Sequence, residues 1–419
     1  MVNLVQGHDG ASGATSVRID LAPADLNLAR MRRARLARLR RELAQREIPC
    51  CVLHDPVNLR YACGARNMQI FSARNPARYL FVAVEGPAIL FEFEGCHHLA
   101  QDLETIDEIR PATTASFVAA GPRLSDVEVA WAREIAELAR RYDGGTRRIA
   151  LERVNAGAAL ALAAEGFTLL DAQEPVERAR AIKDDDEIAC IRESIAAVEA
   201  AVARLEGAIR PGVTENALWS HLHQAVIERD GDYIETRLLN SGPRSNPWFQ
   251  ESSEREIEAG DLVALDTDVV GCHGYYCDFS RTFLCGDGKP SAEQRKLYGL
   301  AHEQVHHNLD LLKPGMSFRE FSAHAWRIPE TYRRHRYYLL AHGVGMTGEY
   351  PYLLHAMDFP KHGYDGIIEP GMTLCLESFI GDEAGGEGVK LEQQVLVTET
   401  GIELLTHYPF SEDLLHREI

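Results

Sequence analysis

Three aspartates fall within thirteen positions of one apolar, strand-like stretch. Asp266 and Asp268 stand two positions apart in DLVALDTDVV, and on an extended strand this spacing directs both carboxylates to one face. A turn with two glycines leads into YYCDFSRTF, which predicts a hairpin that brings Asp278 beside the first pair. Buried acids without partners are costly and are depleted in strands. The convergence of three carboxylates therefore indicates a metal cation.

Three later residues have the same character. Glu377 interrupts the apolar run MTLCLESFI, and Glu392 interrupts VKLEQQVLV. Each would be a buried acid without a partner unless it binds a cation. His342 lies in LLAHGVGM, where two glycines let the backbone turn closely and present the imidazole. Taken alone, such a histidine is more often a hydrogen-bonded core residue, but beside five acids we interpret it as a ligand.

The elements that precede this region predict a separate α/β domain over residues 26–180. Residues 26–47 have the spacing of an amphipathic surface helix. Short apolar runs over residues 50–111 alternate with turn residues and predict strands, and helical patterns follow them. Residues 1–25 lack the basic and then apolar pattern of a secretory signal, and we interpret them as a loose arm.

A charged link near Ala181 leads into a long predicted helix, and we place the domain boundary there, with a second domain over residues 181–419. Within this domain RPGVTENAL, which starts at Arg210, resembles KPGMSFREF, which starts at Lys313. Each segment follows a helical stretch and carries Pro-Gly before another, which predicts a duplicated half. The strand-like segments between them favour a curved, mainly antiparallel sheet backed by helices, an α+β arrangement.

Composition excludes several functions. The formal net charge is −19, which opposes the sign needed to neutralise phosphates, so we expect no nucleic-acid partner. The apolar runs are all shorter than the roughly 18 residues of a membrane span, so we expect no membrane association. Nine scattered cysteines do not form a disulfide framework. We therefore expect a cytoplasmic protein.

Several of these segments resemble a known family. LDTDVVGCHGYYCDFSRTF, AHGVG, IEPGMTLCLES and VKLEQQVLVTETG are similar to the motifs of the metallopeptidase family of methionine aminopeptidase, prolidase and creatinase, over about 182–405. The resemblance implies a pita-bread C-terminal domain with a pseudo-two-fold axis, after a creatinase-like N-terminal domain. It also implies two divalent ions, for which Fe, Mn, Zn or Co would suit the ligands. In that arrangement Asp278 and Glu392 bridge the ions, Asp266 or Asp268 binds one, and His342 with Glu377 binds the other.

The chain departs from the peptidases of this family at two places. Their substrate-binding histidine after the metal histidine falls at or near Gly348 in HGVGMTGEYP. A second peptidase histidine before the first metal strand is replaced by Trp248 and Phe249 in NSGPRSNPWFQE. Proton transfer at a scissile amide is therefore disfavoured.

The segments DPVNLRYACGARNMQ, RNPARYLFV and SGPRSNPWFQE, together with Tyr337, resemble instead the dimethylsulfoniopropionate lyases, as do the Asp-Thr-Asp arrangement and six ligands rather than five. In those enzymes the metals hold the substrate carboxylate, a base removes the α proton, and dimethyl sulfide leaves to give acrylate. Their proposed base, an aspartate, corresponds to Gly348 here. Glu349 or Tyr337 could substitute as the catalytic residue.

Three aromatic residues, Tyr61, Trp248 and Phe249, could bind a sulfonium or quaternary ammonium group through cation–π contacts, although ordinary core packing explains each equally well. We therefore predict a metal-dependent lyase that acts on a small zwitterion. An Xaa-Pro dipeptidase or aminopeptidase, another hydrolase of a small C–N substrate, and a catalytically silent relative that binds a partner protein are the alternatives. The family resemblance also implies a homodimer in which the N-terminal domain of one subunit reaches the other active site, near Tyr61.

Overall fold

The computed structural model describes residues 26–415, and the predicted arm over residues 1–25 lies outside this range. The first part of the chain forms one mixed sheet in the order β4-β3-β2-β1-β5-β6, with helices on both faces. Its elements are α1 (Leu28–Gln45), β1 (Cys50–Leu53), α2 (Pro56–Cys63), α3 (Gln69–Arg74), β2 (Tyr79–Ala83), β3 (Ala88–Glu92), β4 (Glu108–Pro111), α4 (Phe117–Ala120), α5 (Leu124–Tyr142), β5 (Arg148–Leu151), α6 (Ala156–Ala164), β6 (Thr168–Asp171) and α7 (Gln173–Ala181).

Alternation along β1 explains why this sheet is covered on both sides. Cys50 and Val52 pack into a core with α5 and α6, whereas Cys51 and Leu53 pack into a core with α1, α2 and α7. Successive side chains of a strand point to opposite faces, so a strand that is apolar at every position needs helices on both. The second of these cores continues into the C-terminal domain. The two domains therefore share buried contacts.

The C-terminal part contains three sheets, in the orders β11-β10-β7, β12-β9-β8 and β14-β13-β15-β16-β17, in which every strand pairing is antiparallel. The domain boundary that we propose, at residues 180/181, falls at the C-terminal end of α7 (Gln173–Ala181). The elements are α8 (Asp185–Glu206), α9 (Glu215–Ile227), β7 (Tyr233–Ile234), β8 (Leu239–Ser241), β9 (Leu262–Asp266), β10 (Val269–Val270), β11 (Tyr276–Cys277), β12 (Ser280–Leu284), α10 (Ala292–Leu311), α11 (Phe318–His324), β13 (Leu339–Val344), β14 (Gly348–Leu354), α12 (Phe359–His362), β15 (Thr373–Gly381), β16 (Gly388–Val397), β17 (Ile402–Leu404) and α13 (Glu412–Leu415).

The predicted duplication is visible as two similar corners. In the first, Gly212 has φ +85° and its N–H donates to the carbonyl of Ile257 at 2.9 Å. In the second, Gly315 has φ +83° and its N–H donates to the carbonyl of Ile368 at 2.8 Å. Glycine fits both positions because side chains disfavour this left-handed conformation. The corners join α8 to α9 and α10 to α11, which confirms the predicted α+β fold with its internal repeat.

Among the described residues, every helix is too short or too polar to cross a lipid bilayer.

The strands that position the site are β9, β12, β13, β15 and β16. Strand β12 lies against β16, where the hydroxyl of Thr282 donates to the carbonyl of Lys390 at 2.9 Å and the guanidinium of Arg281 donates to the carbonyl of Glu392 at 2.7 Å. This contact joins the two halves of the domain at the strands that carry the predicted ligands.

Candidate metal centre

Strand pairing brings the six predicted metal ligands together. Glu377 on β15 lies directly opposite Glu392 on β16, and cross-strand partners of this kind have neighbouring side chains. His342 lies on β13, the other neighbour of β15. Asp266 ends β9, and Asp278 precedes β12, the strand that pairs with β9. Asp268 follows Asp266 in the loop between β9 and β10.

The imidazole of His342 is at the centre of one ligand group. Its Nε2 atom lies 3.2 Å from Oε1 of Glu377, 3.5 Å from Oδ2 of Asp278 and 3.6 Å from Oε1 of Glu392. Ligand atoms bound about 2.1 Å from one cation at right angles lie about 3 Å apart, so these spacings suit a shared ion. The second group is formed by Asp266, Asp268 and Asp278. Asp278 belongs to both groups, as expected of a bridging ligand.

The unsatisfied atoms of the cluster fit a cation. Nδ1 of His342 lies 2.8 Å from the carbonyl of Gly343, an acceptor, so this nitrogen carries the proton and Nε2 is free to bind a metal. Oδ1 of Asp278, Oε1 of Glu377 and Oε1 of Glu392 are buried and accept no hydrogen bond from the described residues. A buried acceptor without a partner is costly. Divalent ions at this position would bind these atoms.

The electrostatics of the cluster point the same way. Burial and the neighbouring Glu392 raise the pKa of Glu377 to about 7, against the opposing effects of Lys390 and His342. Burial and the surrounding acids hold the pKa of Asp278 well above its usual range. Burial opposes a charge on His342, but Glu392 and Glu377 outweigh it and raise the pKa of the imidazole to about 9. Protein groups alone therefore do not balance the negative charge of these carboxylates.

Two residues of the cluster were not identified from the sequence. Lys390 is fully buried, and its Nζ lies 2.9 Å from Oε2 of both Glu377 and Glu392. Cys375 places its thiol within 4.8 Å of the ligand atoms of Asp278, His342 and Glu392. The sequence signal for Lys390 was its position two residues before Glu392, which puts both side chains on one face of a strand.

An aromatic wall borders the cluster. The ring of Tyr337 lies 4.8 Å from Nζ of Lys390, and the ring of Trp248 lies 5.8 Å from the same atom. The ring of Phe249 packs at a tilt against Tyr337 with ring centroids 5.3 Å apart, and Phe249 is 54% exposed. Burial and the nearby Glu377, Asp266 and Glu392 hold the pKa of Tyr337 well above its usual range. The hydroxyl of Tyr337 therefore keeps its proton at neutral pH and can donate a hydrogen bond.

The alternation of β14 separates Gly348 from Glu349. A Cβ atom placed on Gly348 would lie 3.8 Å from the ring of His342, so position 348 faces the cluster. Glu349 is turned away and is buried in ion pairs with Arg180 and Lys183, each at 2.6 Å. These cations hold the pKa of Glu349 below its usual range although burial alone would raise it. The structure therefore does not support Glu349 as the catalytic base.

Tyr61 also lies away from the site. It is 1% exposed, its hydroxyl donates to the carbonyl of Ala179 at 2.6 Å, and its ring packs beside the guanidinium of Arg35. A side chain so enclosed within one subunit cannot reach a substrate there or in a partner subunit without local unfolding. We therefore withdraw the substrate-binding role predicted for Tyr61, which is a residue of the interdomain core.

The fold and the ligand cluster define a metalloenzyme of the pita-bread type. Residues 189–399 match the metallopeptidase family M24, and residues 35–182 match the creatinase/prolidase N-terminal domain. The chain belongs to metallopeptidase family M24. This result confirms the family resemblance seen in the sequence.

Two relatives extend the similarity over both domains. The chain is 36% identical to the dimethylsulfoniopropionate lyase DddP of Roseovarius nubinhibens, over 93% of this chain and 89% of that protein. It is 37% identical to the enzyme of the same name from Roseobacter denitrificans, over 96% of this chain and 90% of that protein. The similarity to the lyase branch is thereby confirmed.

Solved structures agree on the fold. The Xaa-Pro dipeptidase from Bacillus anthracis superposes with a TM-score of 0.72 at 23% identity, and covers 91% of this chain and 99% of its own. The prolidase from Pyrococcus horikoshii superposes with a TM-score of 0.71 at 19% identity, and covers 90% of this chain and 99% of its own. These similarities show the shared two-domain architecture.

Proposed function

We propose that this protein is a metal-dependent lyase that cleaves dimethylsulfoniopropionate, or a similar small zwitterion, by β-elimination. In this reaction the α proton is removed, its electron pair forms the double bond, and the bond from the β carbon to sulfur breaks. Dimethyl sulfide leaves with the electron pair of the broken carbon–sulfur bond, the proton passes to a base, and acrylate remains. The observation that carries the proposal is an aromatic wall beside a carboxylate-rich cation centre, in a chain related to lyases along both domains.

The two ends of such a substrate match the two parts of the site. The metal ions would be held by the six predicted ligands, and when bound they supply Lewis acidity that makes the proton next to a carboxylate more acidic. At the other end a sulfonium group would lie against Phe249 and Tyr337, whose ring faces attract cations. Trp248 is 6% exposed and lies in the buried cluster against which Tyr337 packs. Tyr337 can donate a hydrogen bond to the substrate carboxylate. In this arrangement we expect the α carbon to lie toward the side of the site that includes Gly348.

The direct test is to incubate purified, metal-analysed protein with dimethylsulfoniopropionate and to measure dimethyl sulfide in the headspace and acrylate in solution. We expect both products in equal amounts, dependent on metal, and none from Asp278→Ala. Asp310→Ala, a change at an exposed position of helix α10, is the matched control and should leave the rate unchanged. Failure of a metal-replete enzyme to release either product would exclude this substrate.

The structural similarity to prolidases makes an Xaa-Pro peptidase the second candidate. Manganese- or cobalt-stimulated cleavage of Xaa-Pro dipeptides, without release of dimethyl sulfide, would favour it. Gly348, Trp248 and Phe249 weigh against it, since they stand where the sequence comparison expects the peptidase histidines. The ordered ligand cluster likewise weighs against a catalytically silent partner-binding protein, because unused buried acids would only destabilise the core.

We also propose that the protein works as a cytoplasmic homodimer with two metal ions per subunit. The nine cysteines are all free, and eight of them are buried, as is usual in a reducing compartment. Exposed aromatic side chains near the site, Phe249, Tyr338 and Tyr352, are 54%, 48% and 41% exposed and offer an apolar surface to a second subunit. Light scattering after gel filtration would test the number of subunits, and elemental analysis would test the number of metal ions per subunit.

A further inference from the structure

A lysine lies inside the carboxylate cluster. Lys390 is on β16, two residues before Glu392, and its side chain is completely buried. Its Nζ atom lies 2.9 Å from Oε2 of Glu377, 2.9 Å from Oε2 of Glu392 and 3.3 Å from Oδ2 of Asp266. It also donates to the hydroxyl of Ser280 at 2.7 Å. A buried ammonium is tolerated only when it is paired and hydrogen-bonded, as this one is.

The lysine uses one oxygen of each glutamate and leaves the other free. Oε2 of Glu377 and Oε2 of Glu392 face Lys390, whereas the Oε1 atoms of both residues face Nε2 of His342 and accept no hydrogen bond from the described residues. The Oε2 atoms are thereby fixed, and the Oε1 atoms are directed to the place where a metal would lie. Fixing a ligand from behind in this way tunes its orientation and its affinity for a metal.

The charge count supports the same assignment. Asp266, Asp268, Asp278, Glu377 and Glu392 carry five negative charges when all are ionised, and Lys390 neutralises one of them. The remaining four are the number that two divalent ions balance. Without the lysine, the loaded site would retain a buried, unpaired negative charge, which is strongly unfavourable.

We propose that Lys390 is a positioning residue of the metal centre, which holds the Oε2 atoms of Glu377 and Glu392 so that their Oε1 atoms bind metal. The inference rests on the metal centre of the proposed function but not on the substrate. Lys390 itself contacts neither substrate nor metal in this assignment. Its removal should therefore weaken metal binding even when no substrate is present.

The test measures Co²⁺ affinity of the full-length protein by competition with a chelator, and bound Co²⁺ per chain by elemental analysis. Loss of such a supporting partner typically weakens metal affinity by about 10–100-fold, and we expect this loss in Lys390→Met, a neutral residue of similar length. Lys390→Arg keeps the charge and should bind Co²⁺ more tightly than Lys390→Met. Lys361→Met, on the exposed part of α12, should match the wild type.

Two results of the Co²⁺ measurement would contradict the role proposed for Lys390. Unchanged affinity in a folded Lys390→Met protein would overturn the assignment. Tighter binding or additional Co²⁺ would also overturn it, because it would mean that the ammonium occupies a metal position. Circular dichroism checks folding, and if Lys390→Met does not fold, Lys390→Gln replaces it as a neutral polar variant, with weaker Co²⁺ binding than the wild type expected. Ser280→Ala would not isolate the role of Lys390, because the Ser280 hydroxyl also contacts Asp266 and Glu392 directly. Since no substrate is used, failure here is separate from failure of the lyase assay.

Discussion

A carboxylate added at position 348 should accelerate cleavage of dimethylsulfoniopropionate. Position 348 faces the metal centre but carries no side chain, because it is glycine. The Cβ atom of Gly348→Asp would make an ordinary van der Waals contact with the ring of His342 at 3.8 Å and would meet no other described atom within 4 Å outside its chain neighbours. The substitution should therefore fold with its carboxylate beside the ring of His342, and we expect this carboxylate to reach the α carbon of a bound substrate.

The size of the effect follows from the role of a general base. A positioned base contributes about 10²–10⁴-fold to a rate, which corresponds to about 3–5 kcal/mol of the activation barrier. We expect an increase of this order in kcat/KM for dimethyl sulfide release by Gly348→Asp. Gly348→Asn has nearly the same size without the basicity and serves as the matched control, which should remain near the wild-type rate.

The assay is initial-rate dimethyl sulfide release at equal metal content for the three proteins. An Asp variant no faster than the Asn variant would refute the reasoning, because it would show that proton removal does not limit the rate or that the α carbon lies elsewhere. A gain in both variants would assign the effect to shape instead of proton transfer. Metal content must be measured in each protein, since a new carboxylate beside His342 could also change metal affinity.

Three further predictions follow from the cluster and its surroundings. The pKa values of Glu377 and His342 are raised to about 7 and about 9. The metal-free protein is therefore stabilised at low pH and loses this stability as the pH rises through those values. Its melting temperature in the presence of a chelator should fall between about pH 5 and 9, and added metal should reverse the fall. A flat profile would contradict the assigned environments. Glu349→Gln should lower the free energy of unfolding by about 3–5 kcal/mol, because Lys183 and Arg180 lose a buried charged partner. Chemical denaturation measures this change. Lost turnover at unchanged stability would instead identify Glu349 as a catalytic base. Phe249→Leu should raise KM for a sulfonium substrate by about 2–30-fold, the equivalent of an exposed to desolvated cation–π contact, and an unchanged KM would remove this residue from the binding wall.

The residues that we predict to bind metal could be recognised in the sequence because their signals are local, and the structure places them close together. Asp266 and Asp268 are recognisable from their spacing on a strand, and Glu377 and Glu392 from their interruption of apolar runs. An acid in such a run must be paired or bind a cation whatever the details of the fold. The repeat of Pro-Gly corners also predicted the duplicated half, since the left-handed turn that needs glycine is encoded locally.

Tertiary packing decided what lies around those ligands. Strand periodicity puts Lys390 on the face of Glu392, but only the packing of β12 and β9 against β16 brings it to Asp266. The pairing of β14 with β13 turns Gly348 toward His342 and Glu349 toward buried cations. The sequence by itself does not show which of two adjacent strand residues faces a site, because a register shift of one residue exchanges the two faces. Tyr61 is an aromatic residue of a type that can bind cations, yet contacts between helices of both domains enclose it. Burial by distant segments is a property of the assembled chain, so only the structure could separate the aromatic residues of the core from those of the site.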